Sequence, residues 1–172
     1  FHAAKGVIGE VARWVFFETG RPFEIGPLTL DPFTLPHDAE DPVGFTVTDG
    51  QLLVGVVTDL GYPTHLAREK VKGARLLVLE ANHDLGMLNV GPYPWEVKQR
   101  IRGRTGHLSN DDSCSFLRSV LHGGLRHLIL AHLSRTNNHP LLVRSGVEVV
   151  LRGSEVELHM ASQDRATPLI CV

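Results

Sequence analysis

Three side chains suited to binding a metal each follow a short apolar segment that is typical of a β-strand. The carboxyl ends of neighbouring strands are where α/β proteins usually build a site. Two imidazoles and a carboxylate are ligands that zinc or manganese accepts. Polar residues that only stabilise a turn, by hydrogen bonds to the neighbouring backbone, would give the same pattern. A metal site and a set of ordinary turns therefore both stay open as interpretations. The three side chains are His37 after residues 28–35, Asp59 after residues 52–57 and His132 after residues 128–131.

A further histidine, His107, lies just ahead of a helix that the sequence predicts to begin at Ser109. Free N–H groups at a helix start favour a bound phosphate, and a neighbouring histidine can donate a proton to a leaving oxygen. Asp111 and Asp112 oppose such a phosphate, because they already occupy the positive end of the helix dipole. The residues are compatible with a catalytic His107 and equally with a loop histidine that helps to cap the helix.

A polar cluster follows another apolar segment and ends close to the same predicted sheet edge. Such side chains can orient metal-bound imidazoles or contact substrate, which makes them candidate positioning residues. An ordinary polar turn between a strand and a helix is the alternative. The cluster is Glu80, Asn82, His83 and Asp84, and Ser134, close after His132, is grouped with it.

The elements that must position these side chains alternate between strands and helices along most of the chain. The Asp-Gly pair at 49–50 is typical of a hairpin turn, and Ser109 with Asp112 resembles a capping box. Alternating strands and helices that follow an antiparallel hairpin region indicate an α/β fold. Strands are predicted at 23–25, 28–35, 43–47, 52–57, 75–79, 128–131 and 156–160, and helices at 3–17, 64–72, 94–102, 109–121 and 140–152, with a polar, proline-rich segment at 82–106.

Composition limits the classes of function. A chain of 172 residues with 42% hydrophobic and 21% charged residues is typical of one globular domain. A net charge of −2 excludes a global positive field for nucleic acid or anionic membrane. Two cysteines without a CxxC pattern favour a reducing, cytoplasmic location, and no segment is apolar enough to predict a membrane span.

The basic run Lys98, Arg100, Arg102 and Arg104 either contacts a nucleic-acid backbone or, as we favour, complements a helix dipole.

Five stretches spread over nearly the whole chain together resemble one known family. They are LPHDAEDPVGF (35–45), VVTDLG (56–61), LVLEANHDLGML (77–88), GPYPWEVKQRIRGRTGHLSN (91–110) and LAHLSRTNNHP (130–140). The combination of GHLSN and AHLS with the preceding stretches makes the likeness specific. The chain resembles the metallo-β-lactamase-fold hydrolases, and within them the single-domain exonucleases of the YycJ/WalJ type.

The resemblance implies an α/β fold that is a partial metallo-β-lactamase αββα sandwich, its C-terminal part. It also implies two divalent metal ions, zinc or manganese, with His37 and His132 as ligands and Asp59 bridging both ions. His107 resembles the helix-start histidine that related ribonucleases use near the scissile phosphate. The implied reaction is phosphodiester hydrolysis by a metal-activated hydroxide, with nucleic acid as the substrate.

The chain departs from the family in one respect, because the HxHxDH segment that supplies the other ligands is absent. The chain also begins with Phe1 rather than methionine. We therefore expect residues 1–172 to be a single, N-terminally incomplete domain whose missing motif is encoded just before the Phe1 codon. This chain alone is expected to be inactive. The alternatives are a hydrolase of a small-molecule ester or phosphodiester, and a non-catalytic truncated remnant; the oligomeric state is not predictable.

Overall fold

Seven strands form one sheet, in the same order in space as along the sequence. The computed structural model describes residue 11 and residues 14–172. The first four strands pair antiparallel with one another. From the fourth strand onwards, neighbouring strands pair parallel. This arrangement confirms the predicted α/β fold with an antiparallel hairpin region ahead of it. The strands are β1 (Phe23–Ile25), β2 (Leu28–Thr34), β3 (Val43–Thr48), β4 (Leu53–Val57), β5 (Leu76–Glu80), β6 (His127–Ala131) and β7 (Glu157–Met160).

Helices cover one face of this sheet and form the core with it. Leu79 and Leu130 of the central strands are fully buried in the same cluster as Phe116 and Val143 of two helices. Burying one such side chain contributes roughly 1.5–3 kcal/mol. Strand side chains alternate between faces, and those pointing away from the helices, such as Ile129, are only partly buried. The helices are α1 (His65–Val71), α2 (Leu85–Val90), α3 (Trp95–Arg102), α4 (Asn110–Val120) and α5 (Pro140–Leu151).

Helix α2 is the element that the sequence pattern did not predict. Asp84 caps it by accepting a hydrogen bond from the Met87 N–H at 2.8 Å. Leu88 is its one buried residue. A six-residue helix with a single buried position offers no repeating apolar spacing, so the sequence pattern predicts only a polar segment here.

The predicted N-terminal helix at 3–17 is wrong over its last part, since residues 14–18 are not helical. The Phe17 ring instead stacks on Phe23, with ring centroids 5.4 Å apart, and meets the Phe45 ring edge-on at 5.5 Å. Packing against the sheet therefore overrides the helical spacing of the local sequence. Residues 1–10, 12 and 13 of that prediction lie outside the described residues.

Both cysteines are free thiols, Cys114 buried and Cys171 exposed. Over the part of the chain that the structure describes, no helix has the length and apolar character required to cross a bilayer.

Candidate metal centre

The structure brings the predicted metal ligands together at the carboxyl end of the sheet. Asp59 Oδ1 lies 3.8 Å from His37 Nε2 and 3.4 Å from His132 Nδ1. His107 completes the group, with its ring centroid 4.9 Å from that of His37 and 5.0 Å from that of His132. The strand-end argument therefore grouped three of these side chains, His37, Asp59 and His132, and the structure adds His107, which the sequence placed only by its position ahead of a helix.

Two of these residues have an unusual backbone conformation. Asp59 has φ of 61° and His132 has φ of 57°, and they are the non-glycine residues with positive φ in the described part of the chain. An L-residue in this region costs roughly 1–2 kcal/mol, less for Asp than for most. Such conformations persist where the surroundings hold them, and they concentrate at functional sites. The chain therefore reverses immediately after β4 and β6 to present these two side chains.

We expect Asp59→Gly to be more stable than Asp59→Ala by about 1 kcal/mol. Both substitutions remove the carboxylate, but only alanine keeps a Cβ at a φ of 61°. Urea denaturation of the two variants measures the difference. Equal free energies of unfolding would show that the strain at Asp59 is negligible.

A buried carboxylate, Glu80, lies behind the cluster and holds it in place. Its Oε1 accepts hydrogen bonds from Nδ1 of His107 at 2.8 Å and Nδ1 of His132 at 2.7 Å. Its Oε2 accepts from the backbone N–H groups of Leu60 at 3.1 Å and Leu108 at 3.2 Å. Glu80 is fully buried. One side chain thus fixes the loop after β4, the loop before α4 and the turn after β6.

The hydrogen bonds decide the charge of this buried group. Burial alone would raise the pKa of Glu80, but hydrogen bonds from His107 and His132, the charge of His107 and the backbone hydrogen bond from Leu60 outweigh it and lower that pKa to about 2. In turn, the hydrogen bond to Glu80 raises the pKa of His132. Glu80 is therefore an ionised carboxylate at neutral pH.

The hydrogen bonds also leave one ring nitrogen available on each of the three histidines. The Nδ1–H of His37 donates to the Gly106 carbonyl at 3.0 Å, as those of His107 and His132 do to Glu80. This is the arrangement of metal-binding histidines, in which the second nitrogen, Nε2, is the ligand. The residues present therefore fit a metal.

Glu80 itself is unsuited to be a ligand, although it lies close enough. A carboxylate oxygen of Asp59, one of Glu80 and one nitrogen each of His107 and His132 all lie within 4.8 Å of one another. Both Glu80 oxygens, however, already accept two hydrogen bonds each. Binding an ion there would break bonds that position the histidines, so we assign Glu80 an orienting role.

Asn82 and Ser134 lie next to the centre and shape the turn that carries His132. The Asn82 side-chain Nδ2–H donates to the His132 carbonyl at 3.0 Å, and the Ser134 N–H donates to the Asn82 carbonyl at 2.8 Å. The Ser134 hydroxyl accepts from the Asn137 N–H at 3.0 Å. Asn82 therefore supports the strained His132 conformation directly.

His83 and Asp84 have no hydrogen bond to the metal-binding side chains within the described residues. His83 is 1% exposed, its two ring nitrogens lack hydrogen-bond partners, and burial lowers its pKa. The carboxylate of Asp84 caps α2. For Asp84 the geometry matches the alternative interpretation, a polar turn between a strand and a helix.

The start of α4 carries its own cap. The Ser109 hydroxyl accepts from the Asp112 N–H at 3.1 Å, and the Asp112 carboxylate accepts from the Ser109 N–H at 3.3 Å. The Asn110 N–H donates to the His83 carbonyl at 2.8 Å. These N–H groups are therefore already used, and of the two open interpretations of this helix start the geometry does not favour a phosphate site. His107 instead faces the centre through its bond to Glu80.

The basic residues near the end of α3 are each held by a neighbouring group of the protein. This pairing supports the structural interpretation over a contact with nucleic acid. Arg100 pairs with Asp38, Lys98 donates to the Asn89 carbonyl and Arg102 to the Asn89 side chain, and the Arg104 guanidinium lies 4.1 Å from the centre of the Tyr62 ring.

A cavity of about 590 Å³ opens beside Asp59 and His132, between the turns that follow β6 and β7. Gln163 and Asp164 line it, and sequence reasoning missed them. They follow β7, which lies beside β6 in the sheet. Applying the strand-end argument to this last strand would have identified them.

Comparisons with known proteins give the family. Residues 3–133 match the family described as Beta-lactamase superfamily domain. The chain is 32% identical over 167 residues to Exodeoxyribonuclease YycJ of Bacillus anthracis. That match covers 92% of this chain and 63% of the relative, so the chain spans less than two thirds of its length.

Solved structures share the fold. The metallo-β-lactamase fold protein YhfI from Bacillus subtilis matches with a TM-score of 0.63 and 20% identity, over 84% of this chain and 50% of that one. Zn(2+)-bound PqqB from Methylobacterium extorquens matches with a TM-score of 0.55 and 20% identity, over 84% of this chain and 48% of that one. The chain therefore has the metallo-β-lactamase fold and belongs to the β-lactamase superfamily.

Proposed function

We propose that this protein is a metal-dependent phosphodiester hydrolase, a DNA exonuclease that acts in the cytoplasm. The observation that carries the proposal is the convergence of His37, Asp59 and His132 at one end of the sheet, with free ligand atoms on each. The similarity to Exodeoxyribonuclease YycJ supports nucleic acid as the substrate. The cytoplasmic location is supported by the sparse use of cysteine.

His37, Asp59 and His132 would hold divalent ions, zinc or manganese, through two imidazole nitrogens and a carboxylate. Asp59 lies between the two histidines and is the side chain suited to be shared by two ions. When bound, the ions supply a nucleophile at neutral pH and stabilise the negative charge that develops on the phosphate. Zinc is supported by the fold relative that contains it.

His107 is the residue that we assign to proton transfer. Its Nδ1 is held by Glu80, which directs Nε2 away from the buried carboxylate. His107 and His132 line a common cavity of about 420 Å³. From there Nε2 can donate a proton to the leaving oxygen of a nucleic-acid substrate, as general acids do.

We further propose that residues 1–172 form one domain and that this chain alone has no useful turnover. Each metal ion needs about four donors, and His37, Asp59 and His132 are too few for two ions. The remaining donors would have to come from a segment with the HxHxDH motif.

The test uses protein expressed from its complete native reading frame, supplied with manganese or zinc. Linear DNA labelled at either end is compared with a small chromogenic phosphodiester and a chromogenic lactone. We expect stepwise release of nucleotides from DNA, lost in Asp59→Asn. The matched control is Asp49→Asn in the exposed β3–β4 turn, where Asn-Gly is equally favourable.

Hydrolysis of the small substrates without DNA degradation would contradict the nuclease proposal and favour a small-molecule hydrolase. A complete protein that binds metal but hydrolyses nothing would favour a non-catalytic protein.

A further inference from the structure

A second group of metal-binding side chains lies at the opposite end of β6 from the candidate centre. His127 is the first residue of β6, whereas His132 follows its last residue. Glu157 and His159 belong to the neighbouring strand β7. His127 Nδ1 lies 3.3 Å from His159 Nε2 and 3.6 Å from Glu157 Oε2, and His159 Nε2 lies 3.7 Å from Glu157 Oε1.

The parallel pairing of the two strands places these three side chains on one face. His127 pairs with Glu157, and Ile129 pairs with His159. Side chains alternate along a strand, so all three point away from Leu128 and its fully buried neighbours under the helices. The group therefore lies on the other side of the sheet from the helical core.

Both imidazoles are sheltered, while the carboxylate is accessible. The side chains of His127 and His159 are 17% and 16% exposed, and that of Glu157 is 67% exposed. Leu76 pairs with His127 and Ile129 pairs with His159, so apolar residues flank the rings within the sheet. The hydrophobic shell around a metal site controls its access to solvent, and here the exposed carboxylate leaves one side of the group open.

The two ring nitrogens have the spacing of a tetrahedral zinc site, and the carboxylate lies within reach of both. Zinc–nitrogen distances near 2.0–2.1 Å with tetrahedral angles separate neighbouring ligand atoms by about 3.3 Å. The two ring nitrogens are 3.3 Å apart, and each lies 3.6–3.7 Å from a different oxygen of the Glu157 carboxylate. One atom from each residue lies within 4.8 Å of the other two. A hydrogen bond between the two rings would explain the shortest distance, but it would not require the carboxylate to lie near both rings.

We propose that His127, Glu157 and His159 bind a zinc-type divalent cation that links β7, the last strand of the sheet, to β6. Two imidazoles and one carboxylate favour zinc over magnesium or calcium, which prefer oxygen ligands. Strand β7 is four residues long and, among the residues that the structure describes, pairs with β6 on one side only. A bound ion would hold this short terminal strand in register. The site is independent of the proposed hydrolysis, since it shares no ligand with the candidate centre.

The test is a zinc titration of the 172-residue chain carrying Asp59→Asn, which removes the carboxylate between the two histidines of the other centre. We expect one zinc ion per chain and a higher melting temperature with zinc but not with magnesium. Adding His159→Gln should weaken zinc binding at least about tenfold. Removing a residue that only orients a ligand already lowers metal affinity by about that factor, and removing the ligand itself should lower it at least as much. Glu157→Gln should weaken it as well, and Glu155→Gln is the matched control, an exposed residue paired with Arg126 instead.

Circular dichroism shows whether each variant is folded, and Glu157→Gln changes only an exposed side chain. Equal zinc affinity in the Asp59→Asn chain with and without His159→Gln would overturn the proposal. A folded Asp59→Asn chain that binds no zinc would also overturn it and leave a hydrogen-bonded histidine pair. Equal affinity after Glu157→Gln would overturn the assignment of the carboxylate.

Discussion

Replacing Glu80 by alanine is expected to lower the free energy of unfolding by about 2–6 kcal/mol, because two buried backbone N–H groups lose their acceptor. The carboxylate is fully buried and accepts hydrogen bonds from His107, His132, Leu60 and Leu108. Its removal would leave two buried backbone N–H groups and two partly exposed imidazoles without their acceptor. Each buried donor left unsatisfied costs roughly 1–3 kcal/mol.

Urea denaturation of the 172-residue chain measures this effect. Glu40→Ala, at an exposed position, is the control and should change the free energy of unfolding by less than about 0.5 kcal/mol. Glu80→Gln should be less damaging than Glu80→Ala, because an amide oxygen can still accept from the backbone N–H groups. A loss below about 1 kcal/mol in Glu80→Ala would mean that water replaces the carboxylate and that Glu80 does not hold the loops.

Replacing His107 by asparagine is expected to slow DNA hydrolysis by about 10²- to 10⁴-fold, the usual contribution of a general acid. This prediction rests on the proposed function and is measured on protein from the complete reading frame. Metal content should stay unchanged, because His37, Asp59 and His132 remain. His65→Asn, at the exposed start of α1, is the control.

The leaving group distinguishes proton donation from a structural role. A nitrophenyl ester of a nucleotide needs no proton on its leaving oxygen, so His107→Asn should impair its hydrolysis far less than that of DNA. An equal loss on both substrates would contradict the assignment of His107 as the proton donor and indicate a positioning role through Glu80.

Much of the fold could be predicted because its elements are locally consistent. The strands end in polar turns, and the Ser109–Asp112 capping box marks the start of α4 as the sequence indicates. The apolar pattern predicts the wrong structure where packing between distant segments determines the backbone conformation. Phe17 is an example, because its ring packs against β1 and β3 and the chain there is not helical. The pattern also fails at α2, which is too short to show a repeating apolar spacing.

The residues of the candidate site could be predicted from the sequence, but the contacts and backbone conformations that hold them in place could not. The strand-end argument grouped His37, Asp59 and His132 because carboxyl ends of adjacent strands meet at one edge. The central position of Glu80 depends on loops that contact it from far along the chain, and no local pattern records those contacts. The positive φ angles of Asp59 and His132 have the same origin, since the surrounding fold imposes them.

The most direct test of the metal centre is a zinc titration of the 172-residue chain carrying His159→Gln, which removes one imidazole from the cluster on β6 and β7. Calorimetry gives the affinity, and nitrogen chemical shifts of the His37 and His132 rings report which atoms bind. Zinc should shift Nε2 of both rings, and adding Asp59→Asn should weaken binding at least about tenfold. Identical isotherms with and without Asp59→Asn, or ring shifts absent from His37 and His132, would contradict the assignment of these three residues as ligands.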